Sequence, residues 1–162
     1  MRYFCEMKEE KPISEGQPTA DERFMRMALN EARKAKEAGE VPIGAVVVAG
    51  GMIVGRGHNL VETLCDATAH AELQAITAAS SSLGGKYLND CTLYVTVEPC
   101  VMCAGALAWS QIGRIVYGAS DPKRGYTTVG GRILHPKTEV ESGVLAAECE
   151  ALISGFFAEL RR

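Results

Sequence analysis

The chain is predicted to form an α/β domain, a mixed sheet flanked by helices. Three observations carry that prediction. Two β-branched apolar runs meet at a glycine pair near the start, and strand-like and helix-like patterns alternate after them. The 162 residues are about the size of one ordinary domain, and they contain no internal repeat and no second-domain boundary.

Residues 1–18 mix Lys, Glu, Pro, Gly and Ser without periodicity, and read as a loose lead-in to a single domain over 19–162. Thr19 and Glu22 have the spacing of a capping box. Phe24, Met27, Ala28, Ala32 and Ala35 then recur at helical spacing, and Gly39 suits the helix stop. Residues 43–49 and 52–57 form a hairpin whose Gly50-Gly51 turn needs positive φ angles. A helix starts near His70 and runs through Leu73, Ile76 and Thr77 to about residue 80. Residues 91–97 (Cys-Thr-Leu-Tyr-Val-Thr-Val) are a strand. Pro99 sits where a first helical turn tolerates proline, and 101–109 continue as a helix rich in small residues. Residues 114–118 are a strand, and 120–141 are loop with room for one short strand. The final helix covers 144–160, with Leu145, Leu152, Phe156 and Leu160 among its apolar positions.

With 47% hydrophobic and 23% charged residues, the chain belongs with globular proteins rather than disordered or membrane ones. Its apolar stretches are too short to span a bilayer, and its first eleven residues lack a signal-peptide apolar core. A cytoplasmic location with no membrane partner is therefore expected. In such a reducing compartment, two of the six cysteines at C-x-x-C spacing are metal or redox ligands rather than a staple. The formal charge of −3 excludes a long grip on nucleic-acid backbone, so any such contact must come from a local patch.

Two short segments carry chemistry: Thr68-Ala69-His70-Ala71-Glu72 and Glu98-Pro99-Cys100-Val101-Met102-Cys103. A C-x-x-C at a helix start places both sulfurs on one side of the first turn, where free amides and the dipole favour thiolates. His70 supplies a third ligand from the start of another helix, and two helix starts leaving one sheet in the same direction converge. Three protein ligands leave one tetrahedral position of a zinc ion open, as in catalytic rather than structural sites. A water held there has its pKa lowered to about 7. Glu72, two residues beyond His70, is placed to face that water and move protons.

An H-x-E motif paired with P-C-x-x-C is the general signature of zinc nucleobase deaminases. Over roughly residues 20–160 the chain more closely resembles the bacterial tRNA-specific adenosine deaminases. The matching stretches are Glu40-Val-Pro-Ile-Gly-Ala-Val, Gly57-His-Asn59, the two metal segments with Thr92 to Ala106, and Ile112-Gly-Arg-Ile-Val-Tyr-Gly-Ala119. The resemblance implies a three-layer α/β/α cytidine-deaminase-like fold around a mixed five-stranded sheet. It also implies one Zn2+ per subunit, a homodimer, and conversion of the wobble adenosine of a tRNA anticodon loop to inosine. On it, Asn59 matches a base and ribose contact and Ala71 a further substrate contact. Asp121 matches a contact to a neighbouring nucleotide, Lys123 a phosphate contact, and Phe157 and Arg161 contacts from the last helix to the anticodon loop. The segment after Asp121 and the tail after the last helix are short compared with the family pattern.

Plainer readings stand beside these. The three ligands could form a structural zinc knot completed by Cys65, and Cys100/Cys103 alone could be a redox pair, though neither uses Glu72. Glu98 reads as orienting the strand end. Cys5, Cys65, Cys91 and Cys149 read as apolar fillers or incidental thiols, and His58 and His135 as structural. Asn59 could simply close the hairpin. Phe156 and Phe157 are adjacent, so one packs inward and the other is left for a partner subunit or RNA. Zinc ligands and Glu72 do not choose the base, so a free-base or nucleoside deaminase of guanine or cytosine type remains the alternative. A catalytically silent, zinc-stabilised RNA-binding subunit is the other.

Overall fold

The computed structural model of the chain describes residues 16–162. The expected lead-in falls mostly on residues 1–15, which lie with Cys5 outside the described residues. Helix α1 spans Ala20–Glu37, with Thr19 as N-cap accepting from the Glu22 amide at 3.1 Å. Strands β1 (Gly44–Ala49) and β2 (Met52–His58) follow, turning at Gly50 (φ +57°) and Gly51 (φ +77°). Both central residues of that turn need the left-handed region, which only glycine enters without strain.

Next come α2 (Val61–Leu64), α3 (Ala71–Leu83), β3 (Cys91–Val97), α4 (Val101–Trp109) and β4 (Arg114–Ala119). A 3-10 turn at Tyr126–Thr128 precedes β5 (Glu139–Ser142) and α5 (Ala146–Leu160). Sequence pattern places β3 and α4 at these bounds. It does not contain α2, stops α3 about three residues early and starts α5 two residues early. Leu145 adopts φ +51° before α5, so the helix cannot begin at 144. Leu160 is 65% exposed, so the apolar stripe of α5 ends at Phe156.

The sheet order is β2-β1-β3-β4-β5. β1 pairs antiparallel with β2 and β3, whereas β3, β4 and β5 run parallel. Successive strand residues enter opposite cores: Ala45, Val47, Leu93, Val95 and Ile115 pack with α3 and α4, and Val46, Val48, Tyr94 and Val116 pack with α1 and α5. Burial on both faces explains why these strands read as continuous apolar runs rather than alternating ones. The result is the three-layer α/β/α arrangement with a mixed five-stranded sheet.

Helix α3 lies close on β2 because two positions there lack a side chain. A Cβ on Gly57 would overlap the Ala71 carbonyl and lie 2.6 Å from the Ala75 amide, and Gly55 faces Ala79 in the same way. Gly57→Ala is therefore expected to cost about 2–3 kcal/mol, because the obstacle is backbone rather than a side chain that can turn away. It should also lower zinc affinity, since Ala71 sits between His70 and Glu72. Denaturant unfolding and metal analysis would check both.

The other face is tied down at the start of α1. Asp21 accepts two hydrogen bonds from Arg114, at 2.7 and 2.8 Å, and one from the Tyr94 hydroxyl at 2.8 Å. The Arg114 hydrogen bonds outweigh partial burial, and with Tyr94 hold the carboxyl below its usual range. A depressed folded pKa contributes stability above the unfolded value of about 3.9, and the contribution disappears as pH falls through the folded value. Asp21→Asn should thus destabilise by about 1 kcal/mol at pH 7. The gap to wild type should close only as pH drops below about 4, measured by urea unfolding across pH.

Candidate metal centre and active site

Both ligand segments are helix starts. His70 is the N-cap of α3 (φ −77°, ψ 156°), and Cys100 is the N-cap of α4 (φ −71°, ψ 170°). Extended backbone at each cap turns the side chain towards the gap between the two helix ends. There the Nδ1 of His70 lies 3.5 Å from the Sγ of Cys100 and 3.5 Å from the Sγ of Cys103. All three donor atoms fall within 4.8 Å of one another.

Those distances fit zinc. A tetrahedral ion about 2.3 Å from sulfur and about 2.05 Å from imidazole nitrogen sets N and S about 3.6 Å apart. The electrostatics fit as well. The adjacent Cys103 sulfur, with His70, overrides burial and brings Cys100 down to about 4. Cys103 itself is pushed far up by Cys100 beside it, by burial and by Glu72, to which its thiol donates at 3.5 Å. A divalent cation at the centre is what lets both sulfurs ionise together. His70 is held in addition by a hydrogen bond to the Ala67 backbone.

Cys65 is exposed, and its sulfur faces the Glu62 carbonyl at 3.7 Å. Cys65 is not part of the donor group, so among the described residues His70, Cys100 and Cys103 are the side chains that would hold the ion, without the Cys65 of a four-ligand knot. Cys91 and Cys149 are buried in the two cores, as fillers would be.

Glu72 lies on the first turn of α3, only 4% exposed, with Oε2 3.5 Å from the Cys103 sulfur. Burial pushes its carboxyl up to about 7. A group poised there can both accept and return a proton near neutrality. Ala71, between the two, is buried at the first position of the helix.

Asn59 is 7% exposed at the end of β2, and its side-chain oxygen accepts from the Val61 amide at 3.2 Å. That bond fixes the amide orientation and leaves its NH2 as the donor. The loop beyond is fastened by a residue that sequence pattern does not single out for a role. Glu40 is fully buried and accepts from Thr63 N at 2.6 Å, Thr63 Oγ1 at 2.9 Å and Glu62 N at 3.2 Å. Burial alone would raise its pKa, but those donors hold it below the usual range.

Asp121 uses one carboxylate oxygen to accept from Lys123 N and Arg124 N, both at 3.0 Å, so it shapes its own turn; Lys123 is exposed. Phe156 is buried and Phe157 is 43% exposed, as expected of adjacent helical residues. Arg161 is the exposed C-cap of α5. Ion pairs Arg26–Glu148 and Lys36–Glu159 run α5 alongside α1, which brings Phe157 and Arg161 to the end of the sheet where α1 leads into Glu40. His58 pairs with the buried Glu31 at 3.2 Å, a structural role.

Residues 18–119 match the model of the cytidine and deoxycytidylate deaminase zinc-binding region. The chain is 48% identical to the tRNA-specific adenosine deaminase of Bacillus subtilis (strain 168), over 89% of this chain and 92% of that one. It is 43% identical to the enzyme of the same name from Aquifex aeolicus (strain VF5), over 86% and 95%. Among solved structures it resembles one from work on A-to-I editing by tRNA:A34 deaminases at the wobble position of transfer RNA. That likeness has a TM-score of 0.76 at 43% identity, and covers 80% of this chain and 98% of the other. A guanine deaminase from Nitrosomonas europaea is similar at TM-score 0.73 and 26% identity, over 85% and 84%. The matched region contains the whole donor group, and the chain belongs to the cytidine and deoxycytidylate deaminase family of zinc-binding enzymes, among the tRNA-specific adenosine deaminases.

Proposed function

We propose that this chain hydrolyses the wobble adenosine of a tRNA anticodon loop to inosine and releases ammonia. The observation that carries the proposal is the buried Glu72 beside a three-donor zinc group, in a chain nearly half identical to an enzyme so named. When bound, zinc supplies an acidified water as nucleophile. Glu72 would pass one proton of the attacking water to the ring nitrogen N1, and then carry the second, from the new C6 hydroxyl, to the departing amine. A C6–O bond forms and the C6–N bond breaks. Asn59 donates to the base and ribose, and Ala71 lines the pocket. Asp121, Lys123, Phe157 and Arg161 meet the surrounding loop nucleotides, which suits recognition of an unpaired, flipped-out base.

The same reading gives a cytoplasmic homodimer. Its support is the outer face of α4, where Val101, Met102 and Trp109 are 43%, 38% and 86% exposed. Sedimentation of the zinc-loaded protein at micromolar concentration should give twice the chain mass.

The deciding experiment supplies zinc-loaded protein with anticodon stem-loop RNA and, separately, with free guanine, cytidine and adenosine. Inosine at the wobble position with ammonia release is the expected result. Release only from a free compound would overturn the tRNA reading in favour of a base or nucleoside deaminase. No turnover of any of them would favour a silent subunit.

A further inference from the structure

We infer that Glu98 is a positioning residue, a buried clamp that fastens the 121–127 loop to the segment carrying Cys100. The inference rests on the proposed function for its substrate readout, but not for its structural one.

Glu98 follows β3 directly and is 4% exposed. One carboxylate oxygen accepts from the Thr127 hydroxyl at 2.6 Å and the Tyr117 hydroxyl at 3.4 Å, and the other accepts from the Asp121 amide at 3.3 Å. Two of these three donors belong to one loop. Gly125, in the same loop, has no room for a Cβ, because the Glu98 carboxylate occupies that space. Backbone contacts extend the fastening towards the metal: Gly125 bridges Cys100, and the Tyr126 amide donates to the Pro99 carbonyl at 2.9 Å.

Burying a carboxylate at the end of an apolar strand is costly unless donors surround it, and no cation among the described residues is paired with it. An apolar side chain would fill the volume at less cost. What the carboxylate adds is direction, because its two oxygens fix Asp121 and Thr127 at opposite ends of the loop. Asp121 in turn fixes the amides of Lys123 and Arg124. The loop that carries the RNA-facing side chains is thereby registered against the loop that carries Cys100. Loss of the clamp should weaken substrate capture while leaving the chemistry at the metal intact.

The test compares Glu98→Ala and Glu98→Gln in the zinc-loaded enzyme. Glutamine keeps an acceptor for the Asp121 amide, and its NH2 can donate to the Thr127 hydroxyl, so the clamp survives. Expected for the alanine variant is a KM for anticodon stem-loop RNA raised about tenfold or more, with kcat within about threefold and full zinc content. The glutamine variant should stay within about threefold of wild-type KM. A fall in kcat at unchanged KM, or loss of zinc, would overturn the inference. Hydrogen exchange provides a second readout that needs no substrate. The amides of Asp121, Gly125 and Tyr126 should exchange faster in the alanine variant and be restored by glutamine, and unchanged exchange would overturn the clamp. Wild-type failure on the stem-loop would sink the proposed function instead, and exchange would still decide the role of Glu98. Should the alanine variant not fold, Thr127→Val removes the 2.6 Å bond at constant volume and must move KM and exchange in the same direction.

Discussion

Glu72→Ala is expected to fold and to carry zinc at wild-type stoichiometry, yet to deaminate about 10²–10⁴ times more slowly. Glu72 is outside the donor group of His70, Cys100 and Cys103, and its nearest oxygen is 3.5 Å from the Cys103 sulfur. Removing it therefore deletes no metal ligand. Burial, which pushes its carboxyl up to about 7, also means that ionised Glu72 costs the folded state free energy. In metal-free samples the alanine variant should consequently melt no lower than wild type despite the small cavity. A variant that kept near-wild-type kcat would remove Glu72 from the proton path. Loss of zinc would instead make it a ligand. Metal analysis, thermal melting and single-turnover kinetics on one preparation separate these outcomes.

The metal group was legible in the sequence because its geometry is local. Helix N-caps at His70 and Cys100, and one turn between Cys100 and Cys103, already determine where three donor atoms point. Strands β1, β3 and β4 were legible from their apolar runs, though the face each residue takes was not, since both faces are buried. The buried carboxylates were the illegible part. Glu40 fastens Glu62 and Thr63 from more than twenty positions upstream, and Asp21 meets Arg114 across 93 positions. Glu98 finds Thr127 across a loop. Each is an unremarkable acidic residue until the chain closes on it. The one-turn helix α2 was missed for the same reason, because two of its amides, Glu62 and Thr63, are capped by the distant Glu40. Gly57 and Gly125 are the local traces of such closures, glycines where the space for a side chain is already filled.

Cys100→Ala and Cys103→Ala should both abolish zinc binding at physiological metal levels, and with it turnover, because two remaining protein ligands hold the ion far more weakly than three. The two variants should nevertheless differ once metal is stripped from all samples. Cys103 is fully buried between α3 and α4, whereas Cys100 is half-buried at the mouth of the site. Alanine at 103 leaves a sulfur-sized void and removes the thiol donor to Glu72, a loss of about 1–2 kcal/mol. Alanine at 100 removes little packing and also removes the thiolate that disfavours a second anion beside it. In chelator-treated samples Cys100→Ala should therefore unfold close to the metal-free wild type and Cys103→Ala clearly below it. Added zinc should raise the midpoint of wild type alone. Full zinc occupancy in Cys100→Ala would show that the ligand set is wrong. Equal metal-free stability of the two variants would show that Cys103 contributes to the fold only through the ion.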